Sequence, residues 1–183
     1  DSPWGVLLFR RNIPYFNQVQ SLITKIKILT KDSKFPIIID EEGQTVTRLS
    51  NIINHNVTQK LFGDIYKLKP NAGITIYKNY IDNLCALLSN LGVNINTVPV
   101  LDVLRKKTSK IIGVRSFSTD HNIVKELGKI CVSRYRHNKI GTIIKHIPGH
   151  GCATLDSHFK LPKVRLKYSE LNKKDFIPFK LSN

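Results

Sequence analysis

The sequence predicts an α/β fold, a (β/α)8 TIM barrel present only in part, with about four β/α units of its N-terminal half. Three observations predict it. Short apolar runs alternate with amphipathic helices; each strand after the first ends on charged side chains; and the turn after the first strand lacks glycine. Such alternation calls for parallel strands joined by right-handed crossovers. A doubly wound sheet would place a glycine-rich phosphate turn after its first strand, where this chain has Arg10, Arg11, Asn12 and Ile13. A barrel instead collects functional side chains from several strand ends onto one face. A complete one takes about 250 residues. The 183 residues here hold four clear strands, so 1–183 is expected to be one partial barrel domain.

Val6 to Phe9 (VLLF) is the first buried strand, and Val19, Leu22, Ile23, Ile26 and Leu29 recur at helical spacing within Asn17 to Leu29. Ile37, Ile38 and Ile39 form the second strand, which runs into Asp40, Glu41, Glu42 and Gly43. Residues 44–72 are irregular apart from a short helix around Val57 to Tyr66. Ile74, Tyr77, Ile81, Leu84, Leu88 and Leu91 then mark a long helix that Gly92 stops. The third strand, Ile95 to Val100, leads to Leu101 and Asp102. Val124, Leu127, Ile130, Cys131 and Tyr135 define the next helix, with Thr119 or Asp120 as its cap. Thr142 to Ile144 is the fourth strand. Glu170 to Phe179 is helical until Pro178 breaks it.

A hydrophobic fraction of 41% supplies a core for a chain of this size. No run of eighteen apolar residues and no signal-peptide pattern is present, so no membrane partner is expected. Cys85, Cys131 and Cys152 are odd in number and lack a CxxC pair, which argues against a disulfide framework or zinc knuckle and fits a reducing, cytoplasmic location. Cys152 reads as a small filler. A formal charge of +16 is the footprint of a nucleic-acid binder, the competing class. The lysines are scattered, however, with only short pairs such as Lys106-Lys107 and Lys173-Lys174, and no RNP-type motif or zinc finger interrupts them. The bias towards Lys, Asn and Ile runs through the whole chain, and no specific nucleic-acid partner is expected.

The chemistry concentrates in residues 143–158, IIKHIPGHGCATLDSH. Ile143 and Ile144 end a strand, and Lys145, His146, Pro148, Gly149, His150 and Gly151 form a broken loop at its carboxyl end, where parallel α/β folds place ligands. Asp156 and His158 are two residues apart, so in an extended segment their side chains point the same way. The carboxylate can then orient the imidazole and raise its pKa, as a general acid/base near neutral pH requires. His146 and His150 share the spacing of a helical zinc pair, but Pro148 and Gly149 between them exclude a helix, so no metal or cofactor is expected.

These motifs, in order IDEEG (39–43), VPVLDV (98–103), IGVRSF (112–117), KHIPGHG (145–151) and DSH (156–158), resemble the family 3 glycoside hydrolases. Within them the chain is similar to the bacterial β-N-acetylglucosaminidases that trim peptidoglycan fragments in the cytoplasm. The likeness runs from GVLLF, with Arg11 and Asn12, to the DFIPF segment of Asp175 to Phe179. It implies a TIM barrel, monomeric when intact, that removes terminal β-linked N-acetylglucosamine with retention. It implies His158 as the acid/base and Asp156 as its partner, in place of the paired carboxyls of most retaining glycosidases. It further implies that Asp40, Arg48, Arg115, Lys145 and His146 grip the sugar's hydroxyls and acetamido group.

The chain departs from the family pattern in three places. Gln44 and Thr45 follow Gly43 where further glycine and arginine are usual, and a β-carbon at Gln44 disfavours a positive φ there. Val114 precedes Arg115 where aspartate is usual, which removes a partner for the arginine; an internal salt bridge to Asp102 or Asp120 is the alternative to a sugar contact for Arg115. The SDD-type motif that carries the family's nucleophile does not occur in these residues, which cover the middle of such an enzyme from its second strand onward. A truncated, catalytically inactive remnant is therefore the alternative to an active hydrolase.

Overall fold

Isoleucine and valine supply both the stiffness and the apolar surface that a buried parallel strand needs. In the computed structural model, which describes residues 3–156 and 161–180, four such segments pair: β1 (Val6–Leu8), β2 (Ile37–Ile39), β3 (Ile95–Asn96) and β4 (Gly141–Thr142). All pairs are parallel and the order is β1-β2-β3-β4, with Leu7 opposite Ile38, Ile38 opposite Ile95, and Ile95 opposite Gly141. Spatial order that follows chain order, with no reversal, is the signature of a barrel and not of a doubly wound sheet. The chain is a partial α/β barrel. Its ladders are shorter than the apolar runs suggest, because beyond Asn96 and Thr142 pairing survives only as a bridge between Val100 and Lys145.

The helices cover one face. They are α1 (Phe16–Thr30), α2 (Gln59–Leu68), α3 (Pro70–Leu91), α4 (His121–His137) and α5 (Tyr168–Lys173). None of the helices among the described residues is long and apolar enough to cross a membrane. Leu8, Ile37 and Ile39 alternate onto the helix side and are buried with Val19, Ile23, Ile81, Leu88, Val124 and Leu127. Their neighbours Leu7 and Ile38 face the other way.

Caps set several boundaries. Asp120 is the N-cap of α4, its carboxylate accepting from the Asn122 amide at 2.8 Å, and Gly92 ends α3 with φ +90°. α3 begins four residues before its apolar stripe, since Pro70 already has the φ a first helical turn needs. The last helix is shorter than the sequence suggests. It stops at Lys173, and the following turn aims Asp175 inward, where Arg105 pairs with it.

Gly63 on α2 fixes the approach of that helix to the segment after Asp102, because a β-carbon there would sit 1.8 Å from the Phe117 carbonyl oxygen. Gly113, with φ +38° and open space around it, serves only its backbone conformation. Gly63→Ala is therefore expected to cost about 3 kcal/mol or more in urea unfolding, and Gly113→Ala about 1 kcal/mol. Equal losses for the two would contradict the close contact.

Candidate active site

The three inward-facing positions just beyond the strands carry the site. Asp40, two residues past Ile38, and Thr97, two past Ile95, share the inner face at the carboxyl ends of β2 and β3, and Lys145 reaches them from beyond β4. Lys145 Nζ donates to Asp40 Oδ1 at 2.5 Å and to Thr97 Oγ1 at 3.0 Å, and it also pairs with Glu42. The Thr97 hydroxyl donates to Asp40 Oδ1 at 2.5 Å, while Arg48 donates to Asp40 Oδ2 at 2.8 Å. Arg115 holds Glu42 bidentately, through Nε at 2.8 Å and a terminal nitrogen at 2.9 Å. The same terminal nitrogen lies 3.3 Å from His146 Nε2, and His146 Nδ1 lies 2.6 Å from Asp102 Oδ2.

Donor and acceptor rules fix the proton on His146. A carboxylate only accepts and a guanidinium only donates. Nδ1 therefore carries the hydrogen towards Asp102, and Nε2 accepts from Arg115, which assigns the neutral Nδ1–H tautomer.

The cluster is charge-balanced. Asp40, Glu42 and Asp102 offset Arg48, Lys145 and Arg115. This is how charges persist with so little water: the Glu42 side chain is 3% exposed and that of Asp102 fully buried. Burial opposes the ionisation of Asp40, yet the Lys145 ammonium, the hydrogen bonds from Lys145 and Thr97, and the Arg48 guanidinium outweigh it and hold the carboxyl below its ordinary range. Burial likewise disfavours the Arg115 cation, but its hydrogen bonds to Glu42 and the surrounding acids push its pKa up.

All five residues expected to grip a sugar thus meet. Arg48, on the irregular segment after β2, is placed by Glu41, whose buried Oε2 accepts from the Arg48 amide at 2.7 Å, the Leu49 amide at 3.0 Å and the Thr47 hydroxyl at 3.1 Å. His55 Nε2 closes that loop onto Glu41 Oε1 at 2.6 Å. Arg115 pairs with Glu42, and neither Asp102 nor Asp120 is its salt-bridge partner. Gln44 needs no positive φ. Gly43 takes it, at +134°, where a β-carbon would lie 2.2 Å from the Val57 carbonyl oxygen.

The loop carrying His146 is pinned twice. His150 N–H donates to Asp102 Oδ1 at 2.6 Å, and Cys152 Sγ donates to Asp175 Oδ1 at 2.8 Å beneath Gly149. Burial, followed by the Asp175 carboxylate, pushes the Cys152 thiol up to about 12, the behaviour of an inert filler. Asp156 is half-buried at the end of this segment, and His158 lies outside the described residues. No group of three His, Cys, Asp or Glu among the described residues is arranged to hold a metal ion.

Sequence reasoning gave no role to Glu41 and Glu42, and it missed His55, Gln59 and Asn96. The side-chain amides of the last two staple backbone: Asn96 brackets Glu41 at 3.0 and 2.8 Å, and Gln59 brackets Val100 at 3.1 and 3.0 Å. The doubled acid in IDEEG was the available signal for the two glutamates, whereas isolated Asn and Gln carry none.

Residues 4–182 match the family model described as the glycosyl hydrolase family 3 N terminal domain. The chain is 31% identical over 175 residues to a beta-hexosaminidase of Hydrogenovibrio crunogenus, covering 96% of this chain and 48% of that protein. It is 30% identical over 187 residues to beta-hexosaminidase A of Pseudoalteromonas piscicida, covering 96% of this chain and 30% of the relative. Among solved structures, it superposes on NagZ from Neisseria gonorrhoeae in complex with N-trifluoroacetyl-D-glucosamine with a TM-score of 0.89, at 29% identity, over 97% of this chain and 51% of that one. The chain thus spans about half or less of the length of these relatives.

Asp40 is expected to titrate below its ordinary value of 3.8, read from its carboxyl carbon by NMR. Lys145→Met should raise that titration. A carboxyl held low contributes stability that is complete above the ordinary value and is lost as pH falls through the folded one. The variant should therefore lose stability at neutral pH and lose less of it on acidification below about pH 4. Glu42→Ala leaves Arg115 unpaired and is expected to cost about 3–5 kcal/mol in denaturant unfolding. A cost near zero would mean that the pair does not persist in solution.

Proposed function

The chain belongs to glycosyl hydrolase family 3, and on that footing we propose that it carries the sugar-gripping wall of a β-N-acetylhexosaminidase. The proposed reaction removes terminal β-linked N-acetylglucosamine from peptidoglycan fragments, with retention, in the cytoplasm. The observation that carries the reading is the strand-end cluster of Asp40, Arg48, Lys145, Arg115 and His146. Asp40 is a partly exposed, ionised acceptor for sugar hydroxyls, and Lys145 and the arginines are fixed donors to sugar oxygens. Because each is already held by a partner, little ordering remains when the sugar arrives.

In this reading His158 protonates the glycosidic oxygen as the bond to the leaving group breaks, then takes a proton from the water that releases the sugar. Asp156 orients its imidazole. Retention also needs a nucleophile, and the two candidate acids at the strand ends are committed elsewhere. Both oxygens of Asp40 hold cations or the Thr97 hydroxyl, and Asp102 is buried against His146 and the His150 amide. That arrangement favours a second statement about these 183 residues by themselves: they bind the sugar without hydrolysing it. Without covalent catalysis one barrier is not divided into two.

The chain is expected to bind N-acetylglucosamine in titration calorimetry and to release no p-nitrophenol from the aryl N-acetylglucosaminide. Lys145→Met should weaken binding by about tenfold or more, the loss of one charged hydrogen bond. Turnover that His158→Ala abolishes would overturn the binding-only statement, and sugar binding untouched by Lys145→Met would overturn the site.

A further inference from the structure

We propose that Glu41 and His55 are positioning residues that set the affinity for the sugar by holding Arg48 against Asp40, while touching no sugar themselves; this rests on the gripping role proposed for Arg48. Arg48 lies on an irregular segment, where neither helix nor strand restrains its long, rotamer-rich side chain. Its pair with Asp40, the two side chains 25% and 24% exposed, is weak if the arginine is free to move. Something further must hold it. Asp40 and Glu41 follow one another at the end of β2, so their side chains leave the strand on opposite faces. On the inner face Asp40 accepts from the Arg48 guanidinium at 2.8 Å, and on the helix side Glu41 accepts from the Arg48 amide at 2.7 Å. The segment is wrapped around the strand end, and Arg48 is gripped at its backbone and at its tip.

Glu41 has no freedom to follow a segment that moves. Asn96 of β3 brackets its backbone at 3.0 and 2.8 Å and donates to the Tyr135 hydroxyl of α4 at 3.0 Å. The Glu41 side chain is fully buried, so no sugar reaches it, and an oxygen left there without a donor is costly. Oε2 has three donors, from Thr47, Arg48 and Leu49. Among the described residues it is His55 that serves Oε1, with Nε2 at 2.6 Å. On the other side of the imidazole, Nδ1 lies 3.5 Å from the Tyr80 hydroxyl of α3. Burial, followed by the Glu41 carboxylate, pushes the Tyr80 pKa up, so that hydroxyl keeps the proton it offers to His55. The ends of β2 and β3 and the helices α3 and α4 thus converge on the position of one guanidinium.

Asp40 reports on the arginine. Burial raises its pKa, and Lys145, Thr97 and Arg48 bring it down, so an arginine that swings away lets the titration rise. His55→Leu removes the donor to Glu41, and the Asp40 carboxyl-carbon titration, followed by NMR in the 183-residue chain, should move up. Arg48→Met should move it up as well. His55→Leu added to Arg48→Met should move it no further, because the histidine acts through the arginine. His55→Gln, whose amide nitrogen can take the place of Nε2, should restore the titration. In calorimetry with N-acetylglucosamine, His55→Leu should weaken binding about threefold to tenfold, the worth of one hydrogen bond, and His55→Gln should recover it. Once Arg48 is methionine, His55→Leu should cost no further affinity. An Asp40 titration that His55→Leu leaves in place, or shifts equally with and without Arg48, would overturn the proposal. So would an equal loss of affinity in the Arg48→Met background, the mark of a purely structural role. An unaltered chain that binds no sugar would instead overturn the gripping role and with it the effect on affinity, while the paired titrations still decide whether Glu41 and His55 hold Arg48.

Discussion

Glu42 lies almost wholly out of water, Lys145 and Arg115 reach it from different strand ends, and that shared carboxylate ties the site into one piece. Lys145 arrives beyond β4, Arg115 from the turn after Asp102, and Glu42 from the end of β2. Cations so placed lock three crossovers against one another. From them the network continues outward, through Lys145 to Asp40 and Arg48, and through Arg115 to His146 and Asp102. A cluster of this kind contributes little net stability, since desolvation offsets most of its attraction. What it supplies is position.

That balance reconciles two features that look opposed. The chain as a whole is strongly basic, yet at the rim where its strands end Asp40, Glu42 and Asp102 offset Arg48, Lys145 and Arg115. A neutral, hydrogen-bonding ligand such as a sugar suits a neutral, hydrogen-bonding rim. A phosphate backbone would not gain there from the excess lysines, which lie elsewhere on the surface.

The fold was legible because its signals are periodic. Three consecutive isoleucines before Asp40, the stripe from Ile74 to Leu91 and the cap at Asp120 each state a local preference that the packing agrees with. The residues expected to grip a sugar were singled out by motif and strand-end position, and the structure brings their side chains together. Glu41 and Glu42 were visible as strand-end acids, but their roles were not, because nothing in one sequence says that Glu41 will hold a loop seven residues on while Glu42 takes an arginine seventy-three residues away. Gln59 and Asn96 were hidden altogether. Their work is to bond backbone across distant segments, and such bonds leave no spacing in the sequence.

A preassembled cluster at the strand ends is the core of the account, and the proposed reading makes it the wall that grips the sugar. Crystals of the chain grown with N-acetylglucosamine test it most directly. The account expects the sugar at the carboxyl ends of the strands, its hydroxyls within hydrogen-bond distance of Asp40 and Lys145, with the Glu42–Arg115 pair unmoved. Sugar bound at another surface, or a cluster that must come apart to admit it, would contradict it.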